Sequence, residues 1–261
     1  MIKVEENRKY LFFVGSGRTG STLLGQLINY HPFCLVSNES RFLQNCINKN
    51  ISPERSLQNM VMQAAHEFEL GLEGSSTHSK TLHRYQKDWV KMGDLVTHKE
   101  FEKKRIRVIG DKKAGGNSSI FRSNPNEFCK LIDFLGRDSV YFIQIVRDPI
   151  ESIFSYTKSH KYSIEEAATR VIQDTQTGID ISRVFTNYIM CRYDLLLKNP
   201  ESIFSFLGEK CEKEWLQEIS KKISKKIPYE DDDLFPIIQN CKIMKDIESI
   251  DCFKEILNDK S

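Results

Sequence analysis

The chain has 261 residues, enough to bury one large core, and a single α/β domain over residues 1–261 is the simplest reading. Its 38 lysines and arginines against 36 acids leave a formal net charge of +2, which argues against a nucleic-acid partner recruited by bulk charge. Seven scattered cysteines without a C-x-x-C pair argue against a disulfide framework or a zinc site, and they predict reduced thiols in a cytoplasmic setting. No apolar run approaches membrane length, so no membrane partner is expected.

Met1 to Tyr10 is charged and has no apolar leader pattern; it runs straight into the first predicted strand, Tyr10–Val14. The segment Gly15-Ser16-Gly17-Arg18-Thr19-Gly20-Ser21-Thr22 follows. Compared with G-x-x-x-x-G-K-[ST], it keeps Gly15, Gly20 and the hydroxyl of Thr22. Ser21 stands where the phosphate-binding lysine belongs, and Arg18 is the nearby cation. Glycines let the backbone approach an anion, and the next helix offers its unpaired N–H groups and positive dipole end. Leu23, Leu24, Leu27 and Ile28 recur at helical spacing, and Tyr30-His31-Pro32 ends the helix. The loop therefore reads as a cradle for an anion other than that of ordinary ATP chemistry, with a plain tight turn as the alternative.

A short strand, Phe33–Val36, leads into Ser37-Asn38-Glu39-Ser40-Arg41. A carboxylate at the mouth of an anion site would repel the anion, so Glu39 is better read as a general base tuned by Arg41 or Arg18. Residues 52–104 read as a helical excursion, with Leu57, Met60, Val61 and Ala64 on one face and a polar loop from Gly71 to His78. Strand Ile106–Ile109 then ends in Gly110-Asp111-Lys112-Lys113, where a lysine can neutralise charge developing on a transferred group.

The run Val140–Val146 is almost continuously apolar, as a strand covered on both faces would be. After it comes Arg147-Asp148-Pro149, with Asp148 as N-cap and Pro149 at the first helical position. On that helix Ile150, Ile153, Phe154 and Thr157 share one face, and Ser152, Ser155 and Ser159 share the other. An arginine fork with a serine two turns away suits a second, isolated phosphate. The alternative is that Arg147 pairs with an acid and the serines face water. Ser163 and Glu166 predict a capping box for the next helix, and Tyr188–Arg192 is the last predicted strand. Residues 209–261 read as helical, with the clusters at Lys221-Lys222, Lys225-Lys226 and Asp231–Asp233 as solvated faces. Strands separated by helices predict a three-layer, P-loop-NTPase-like, mainly parallel sheet flanked by helices.

These residues resemble a known family. Gly15 to Thr22 resembles the 5′-phosphosulfate loop of sulfotransferases, in which a lysine or arginine precedes [ST]-G-[ST]-[ST]. Val146-Arg147-Asp148-Pro149 with Ser155, eight residues after the arginine, is similar to their 3′-phosphate motif. Arg192-Tyr193-Asp194-Leu195, Asn199-Pro200-Glu201 and Phe206-Leu207-Gly208 resemble the segment Y-E-D-L…P…F-L-G, and Gly110-Asp111-Lys112 resembles a [DN]-K element. Arg18, His31-Pro32 and Glu39 match the branch containing tyrosylprotein and bacterial sulfotransferases, Glu39 falling 21 residues after Arg18. The histidine base and R-K-G-x-x-G loop of the cytosolic small-molecule branch are missing.

The resemblance implies 3′-phosphoadenosine-5′-phosphosulfate (PAPS) as donor, its desulfonated product PAP, and a hydroxyl-bearing acceptor: a small molecule, a saccharide or a peptide. It assigns Gly17, Arg18, Thr19, Gly20, Ser21 and Thr22 to the 5′-phosphosulfate, Arg147 and Ser155 to the 3′-phosphate, and Tyr193 to the nucleotide. Glu39, Arg18 and Lys112 become the catalytic residues of an in-line displacement, with no metal expected. Two alternatives remain: a P-loop nucleotide-dependent kinase, disfavoured by Ser21, and a catalytically inactive PAP/PAPS-binding protein, which leaves Glu39 without a task. Residues 52–104 and 157–187, including His83, Arg84, Tyr85 and Trp89, are the expected acceptor walls.

Overall fold

The computed structural model describes residues 4–29, 31–69, 105–196, 199–211, 238 and 244–258. The second half of the helical excursion, with His83 to Trp89, and the charged clusters between 221 and 233 lie outside the described residues. Numbered over the described residues, the chain runs β1 (Val4–Val14), α1 (Ser21–Asn29), β2 (Cys34–Ser37), α2 (Phe42–Asn48) and α3 (Pro53–Glu69). Then come β3 (Ile106–Asp111), α4 (Ala114–Ser123), α5 (Pro125–Leu135), β4 (Val140–Val146), α6 (Pro149–His160) and α7 (Ile164–Val184). The last elements are β5 (Tyr188–Arg192), α8 (Tyr193–Leu196), α9 (Glu201–Phe206), α10 (Met244–Glu248) and α11 (Asp251–Asn258).

The five strands form one sheet in the order β2-β3-β1-β4-β5, and the pairs β1/β3, β2/β3 and β4/β5 are parallel. This is the α/β sheet flanked by helices that the alternation of patterns predicts. Strands β4 and β5 fall where the sequence places them. Strand β1 begins six residues before Tyr10, at Val4. Four of residues 4–9 are charged, so side-chain pattern gives no strand signal there, and backbone pairing to β3 (Val4 with Ile106, then Lys9 with Val108 after a register shift) makes them extended.

The chain divides into two compact units. One comprises Met1–Phe12, Thr22–Lys113 and Asn126–Tyr141. Its core holds Phe12, Leu24, Ile28, Leu35, Phe42 and Phe128, all without solvent exposure, each stabilising the fold by roughly 1.5–3 kcal/mol. The Phe12 and Phe42 rings stack at 5.6 Å. Of the apolar face predicted for helix α1, Leu24, Leu27 and Ile28 are buried and Leu23 is partly covered. Its last residue, Asn29, brackets Val36 of β2, donating from Nδ2 to the Val36 carbonyl at 2.7 Å and accepting from the Val36 N–H at 2.5 Å. Strand β2 starts at Cys34, one residue later than expected, because Phe33 turns to the surface under the Arg107 guanidinium, 3.8 Å from its ring centroid.

The second unit comprises Phe13–Ser21, Ala114–Pro125 and Phe142–Ser261. Asp148 caps α6, its Oδ1 accepting from the Ile150 and Glu151 N–H groups at 2.7 and 3.3 Å, with Pro149 at the first position. The capping box of α7 is present: Ser163 Oγ accepts from the Glu166 N–H at 3.2 Å, and Glu166 accepts from the Ser163 N–H at 2.8 Å. Ile153 and Phe154 of α6 and Val171 of α7 share a buried cluster with Ile247, Phe253 and Ile256, which docks α10 and α11. Ser152 and Ser155, on the serine face of α6, are 1% and 7% exposed, so they do not face water as the alternative reading had it. Hydroxyls tolerate such burial when they find local partners, and Ser152 Oγ donates to the Asp148 carbonyl at 3.1 Å.

Candidate active site

In the second unit, the loop after β1 carries three residues of positive φ: Gly15 at 84°, Arg18 at 62° and Gly20 at 96°. For Arg18 the left-handed conformation costs about 1–2 kcal/mol, and strain of this kind gathers at functional loops. Left-handed residues within a tight loop turn successive N–H groups toward one side, the geometry of an anion cradle. Helix α4 anchors the loop from below. Ser118 Oγ accepts from the Gly15 N–H at 2.8 Å, and Asn117 Nδ2 donates to the Phe13 carbonyl at 2.9 Å. Within the loop, Thr19 Oγ1 donates to the Ser16 carbonyl at 3.1 Å. Thr19 and Ser21 are buried, whereas Gly17, Arg18 and Gly20 are only partly covered. Thr22, half-buried, lies in the first turn of α1, and that turn contains no acid to oppose an anion.

Two predicted binding residues, Ser155 and Tyr193, touch this loop, and a third, Arg147, touches Tyr193. Arg18 Nε donates to Ser155 Oγ at 3.0 Å. The Tyr193 ring lies so close over Gly20 that a Cβ there would overlap Cε2 and Cδ2, which explains glycine at this position beyond its φ. The Arg147 guanidinium sits 4.8 Å from the centroid of the same ring. The structure thus brings Arg18, Gly20, Ser155, Arg147 and Tyr193 into one connected cluster. Of the alternative left open by the sequence, one half is realised: Arg147 pairs with an acid, Glu151, whose Oε2 is 2.7 Å from both Nε and Nη2. The other half is not, since Ser155 turns inward to Arg18.

In the first unit, the turn after β2 is strained as well, with Glu39 at φ 69° and Arg41 at φ 60°. Lys112 Nζ lies 3.3 Å from Glu39 Oε1, and Lys113 Nζ lies 3.0 Å from Oε2. Lysines of the loop after β3, not Arg41, therefore supply the charge beside Glu39, because the parallel pairing of β2 and β3 carries both strand ends to the same edge. Burial pushes the Glu39 carboxyl up, but the two ammonium groups outweigh it and hold Glu39 below the ordinary glutamate range. Lys112 is nearly enclosed, and burial draws its pKa down against the pull of Glu39. Asp111, without solvent exposure, accepts from the Phe42 N–H at 3.0 Å and from Ser37 Oγ at 3.4 Å; burial raises its carboxyl despite these bonds.

The sign of the Glu39 shift has a consequence. A depressed folded pKa keeps the group ionised below the ordinary glutamate value, and its ion pairing is lost only as pH falls through the folded value. Replacing Lys113 by methionine is expected to move the Glu39 titration to higher pH, followed by NMR of the labelled carboxyl carbon. An unchanged midpoint would show that Lys113 contributes nothing to the pairing.

Two supports of the loop escape sequence reading. Gln144, fully buried in β4, accepts from Tyr188 Oη at 2.5 Å and donates from Nε2 to the Thr175 carbonyl at 3.2 Å. Its side chain abuts Gly15, where a Cβ would come within 2.7 Å of it. The signal was its place as the polar member of an apolar strand. The second support is Asp174 of α7, fully buried, which accepts from Arg122 Nη1 at 2.7 Å. Only Gly115 separates it from the loop: a Cβ there would stand 2.8 Å from Asp174 Oδ2 and 3.5 Å from the Gly17 nitrogen. In sequence Asp174 is one polar residue among Gln173, Thr175 and Gln176, and carries no signal. Among the described residues, no group of three or more His, Cys, Asp or Glu is placed to hold a metal ion, and no helix is long and apolar enough to cross a membrane.

The model of the sulfotransferase family matches residues 11–217, a span that includes both candidate anion-binding segments and the Glu39 turn, and the chain belongs to that family. It is therefore an enzyme of sulfuryl transfer. Among solved structures it is similar to the sulfotransferase domain of the Synechococcus PCC 7002 olefin synthase, with 18% identity, a TM-score of 0.47, and coverage of 90% of this chain and 94% of that one. It is also similar to the sulfotransferase STF9 from Mycobacterium avium, with 11% identity, a TM-score of 0.43, and coverage of 83% of this chain and 68% of that one. No curated protein matches the sequence significantly.

Proposed function

We propose that this sulfotransferase takes its sulfuryl group from PAPS and passes it to an acceptor hydroxyl, with Glu39 as general base. The observation that carries the donor assignment is the cluster itself. The glycine-rich loop and Arg147 are two cationic features joined through Tyr193, as a ligand with separate 5′ and 3′ anions requires. Residues Gly17 to Thr22 hold the 5′-phosphosulfate, Arg147 and Ser155 hold the 3′-phosphate, and Tyr193 lies against the nucleotide. The fit is good: the first turn of α1 has no acid, neutral Ser118 and Asn117 anchor the covered side of the loop, and the carboxylate behind it, Asp174, is paired with Arg122. A bound sulfuryl group carries less charge than a γ-phosphoryl group, which is consistent with Ser21 in the place of a lysine.

In the proposed step, a bond forms between the acceptor oxygen and sulfur while the bond from sulfur to the bridging oxygen breaks, and PAP leaves. The acceptor proton goes to Glu39. Arg18 stabilises the bridging oxygen as it becomes anionic, and Lys112 offsets charge on the transferred group. In the resting protein the two lysines quiet Glu39, so its full basicity appears only when an incoming group draws one of them away. The strained turn bearing Glu39, with Lys112 and Lys113 paired to its carboxylate, supports the branch with a catalytic glutamate. Residues 1–261 act as one catalytic domain in this reading, in the cytoplasm and without a metal.

Calorimetry with PAP tests the donor site. Arg147→Ala is expected to weaken PAP by about 10- to 100-fold, the loss of charge-assisted bonds to one phosphate. Equal affinity for variant and parent would overturn the assignment. Turnover with sulfate-labelled donor is expected to persist in chelator; ATP protection together with chelator-sensitive turnover would favour a kinase instead.

A further inference from the structure

We propose that Glu151 is a positioning residue that makes the donor site selective for a 3′-phosphate, by holding the Arg147 guanidinium in its receiving orientation. The inference rests on the preceding assignment of Arg147 to that phosphate. Arginine is a long side chain, and ordering it on binding weakens a ligand severalfold. Here the ordering is done in advance. Nε donates to Glu151 Oε2 at 2.7 Å, Nη2 is ion-paired with the same oxygen at 2.7 Å, and the guanidinium lies over the Tyr193 ring at 4.8 Å. The hydrogen bond of this grip uses one of the five N–H donors of the guanidinium, the Nε–H. Arg147 is 13% exposed and Glu151 25%, so water competes little for the pair.

The grip is also tied to the fold. Glu151 stands four residues after Arg147, on the first turn of α6, and its own N–H donates to the capping carboxylate of Asp148 at 3.3 Å. Tyr193, which supports the face of the guanidinium, is pressed against Gly20 of the 5′ loop. Glu151 thereby fixes Arg147 in register with the loop that takes the other end of the nucleotide. A carboxylate near a phosphate site brings repulsion, but its charge is matched by the guanidinium it binds. What the site gains is orientation, not charge.

The test compares PAP with adenosine 5′-phosphate, which lacks the 3′-phosphate, by calorimetry on the full chain. The parent is expected to bind PAP more tightly. Glu151→Ala should weaken PAP about fivefold, the ordering cost of one such side chain, and leave adenosine 5′-phosphate unchanged. Glu151→Gln should restore most of the PAP affinity, because its amide oxygen still accepts from Arg147. Tighter PAP binding in Glu151→Ala would overturn the proposal, since the carboxylate would then be a competitor. Parallel losses for both nucleotides would also overturn it, in favour of a general role in folding. A parent that does not distinguish the two nucleotides would instead remove the assignment of Arg147, whatever the variants do.

Discussion

Replacing Glu39 by glutamine is expected to lower kcat by two or more orders of magnitude while PAP affinity stays near that of the parent. The range is the usual weight of a positioned general base. Glutamine keeps the length and one acceptor oxygen, so the turn after β2 keeps its shape. It cannot take the acceptor proton. It also loses the charge that faces Lys112 and Lys113, which stand 3.3 and 3.0 Å from the carboxylate. The acid limb of the pH profile distinguishes this cause from a general disturbance. In the parent the acid limb of kcat/KM, which reports the free enzyme with both lysines in place, should fall below the ordinary glutamate range. In the variant it should vanish. Single-turnover transfer of labelled sulfate gives the rate, and unchanged turnover would show that the base lies elsewhere.

Replacing Asp174 by alanine is expected to cost about 3 kcal/mol of stability, the lower end for breaking a buried ion pair. Asp174 is wholly enclosed, whereas Arg122 keeps 33% of its side chain exposed and can turn toward water. That escape is why the lower end applies. The loss also removes the carboxylate on which Gly115 rests beside Gly17, so PAP affinity should fall with it. Urea unfolding with an unchanged m-value would read the stability term. Asn at 174 should retain part of it, because an amide oxygen can still accept from Arg122. No loss of midpoint in Asp174→Ala would show that burial of the carboxylate costs as much as the pairing returns; burial does raise its carboxyl above the ordinary range despite Arg122.

Much of the candidate donor site was legible because it lies in short local segments. The run from Gly15 to Thr22 carries its own turn chemistry, and Asp148-Pro149 carries its own cap, so neither needs a distant partner to be recognised. The five strands were legible for a related reason, since apolar runs such as Val140–Val146 declare burial by composition. The charged start of β1 was not, because its extension depends on a partner strand some hundred residues away. Arg41 was a reasonable partner for Glu39 by proximity in sequence. The sheet register overrules it by delivering Lys112 and Lys113.

The sequence by itself determined the class of fold, and it pointed to the candidate anion-binding loop and to the residue types proposed for each end of the donor. These follow from local propensity, spacing and capping, which act within a few residues. Only the tertiary structure decided the partnerships: Arg18 with Ser155, Arg147 with Glu151 and Tyr193, Glu39 with two lysines, and Asp174 with Arg122 beneath the loop. Several of these join residues far apart in the chain, and all of them depend on where side chains finish once the core has packed. A hydrogen bond is a matter of tenths of an ångström, and that precision comes from packing, not from pattern.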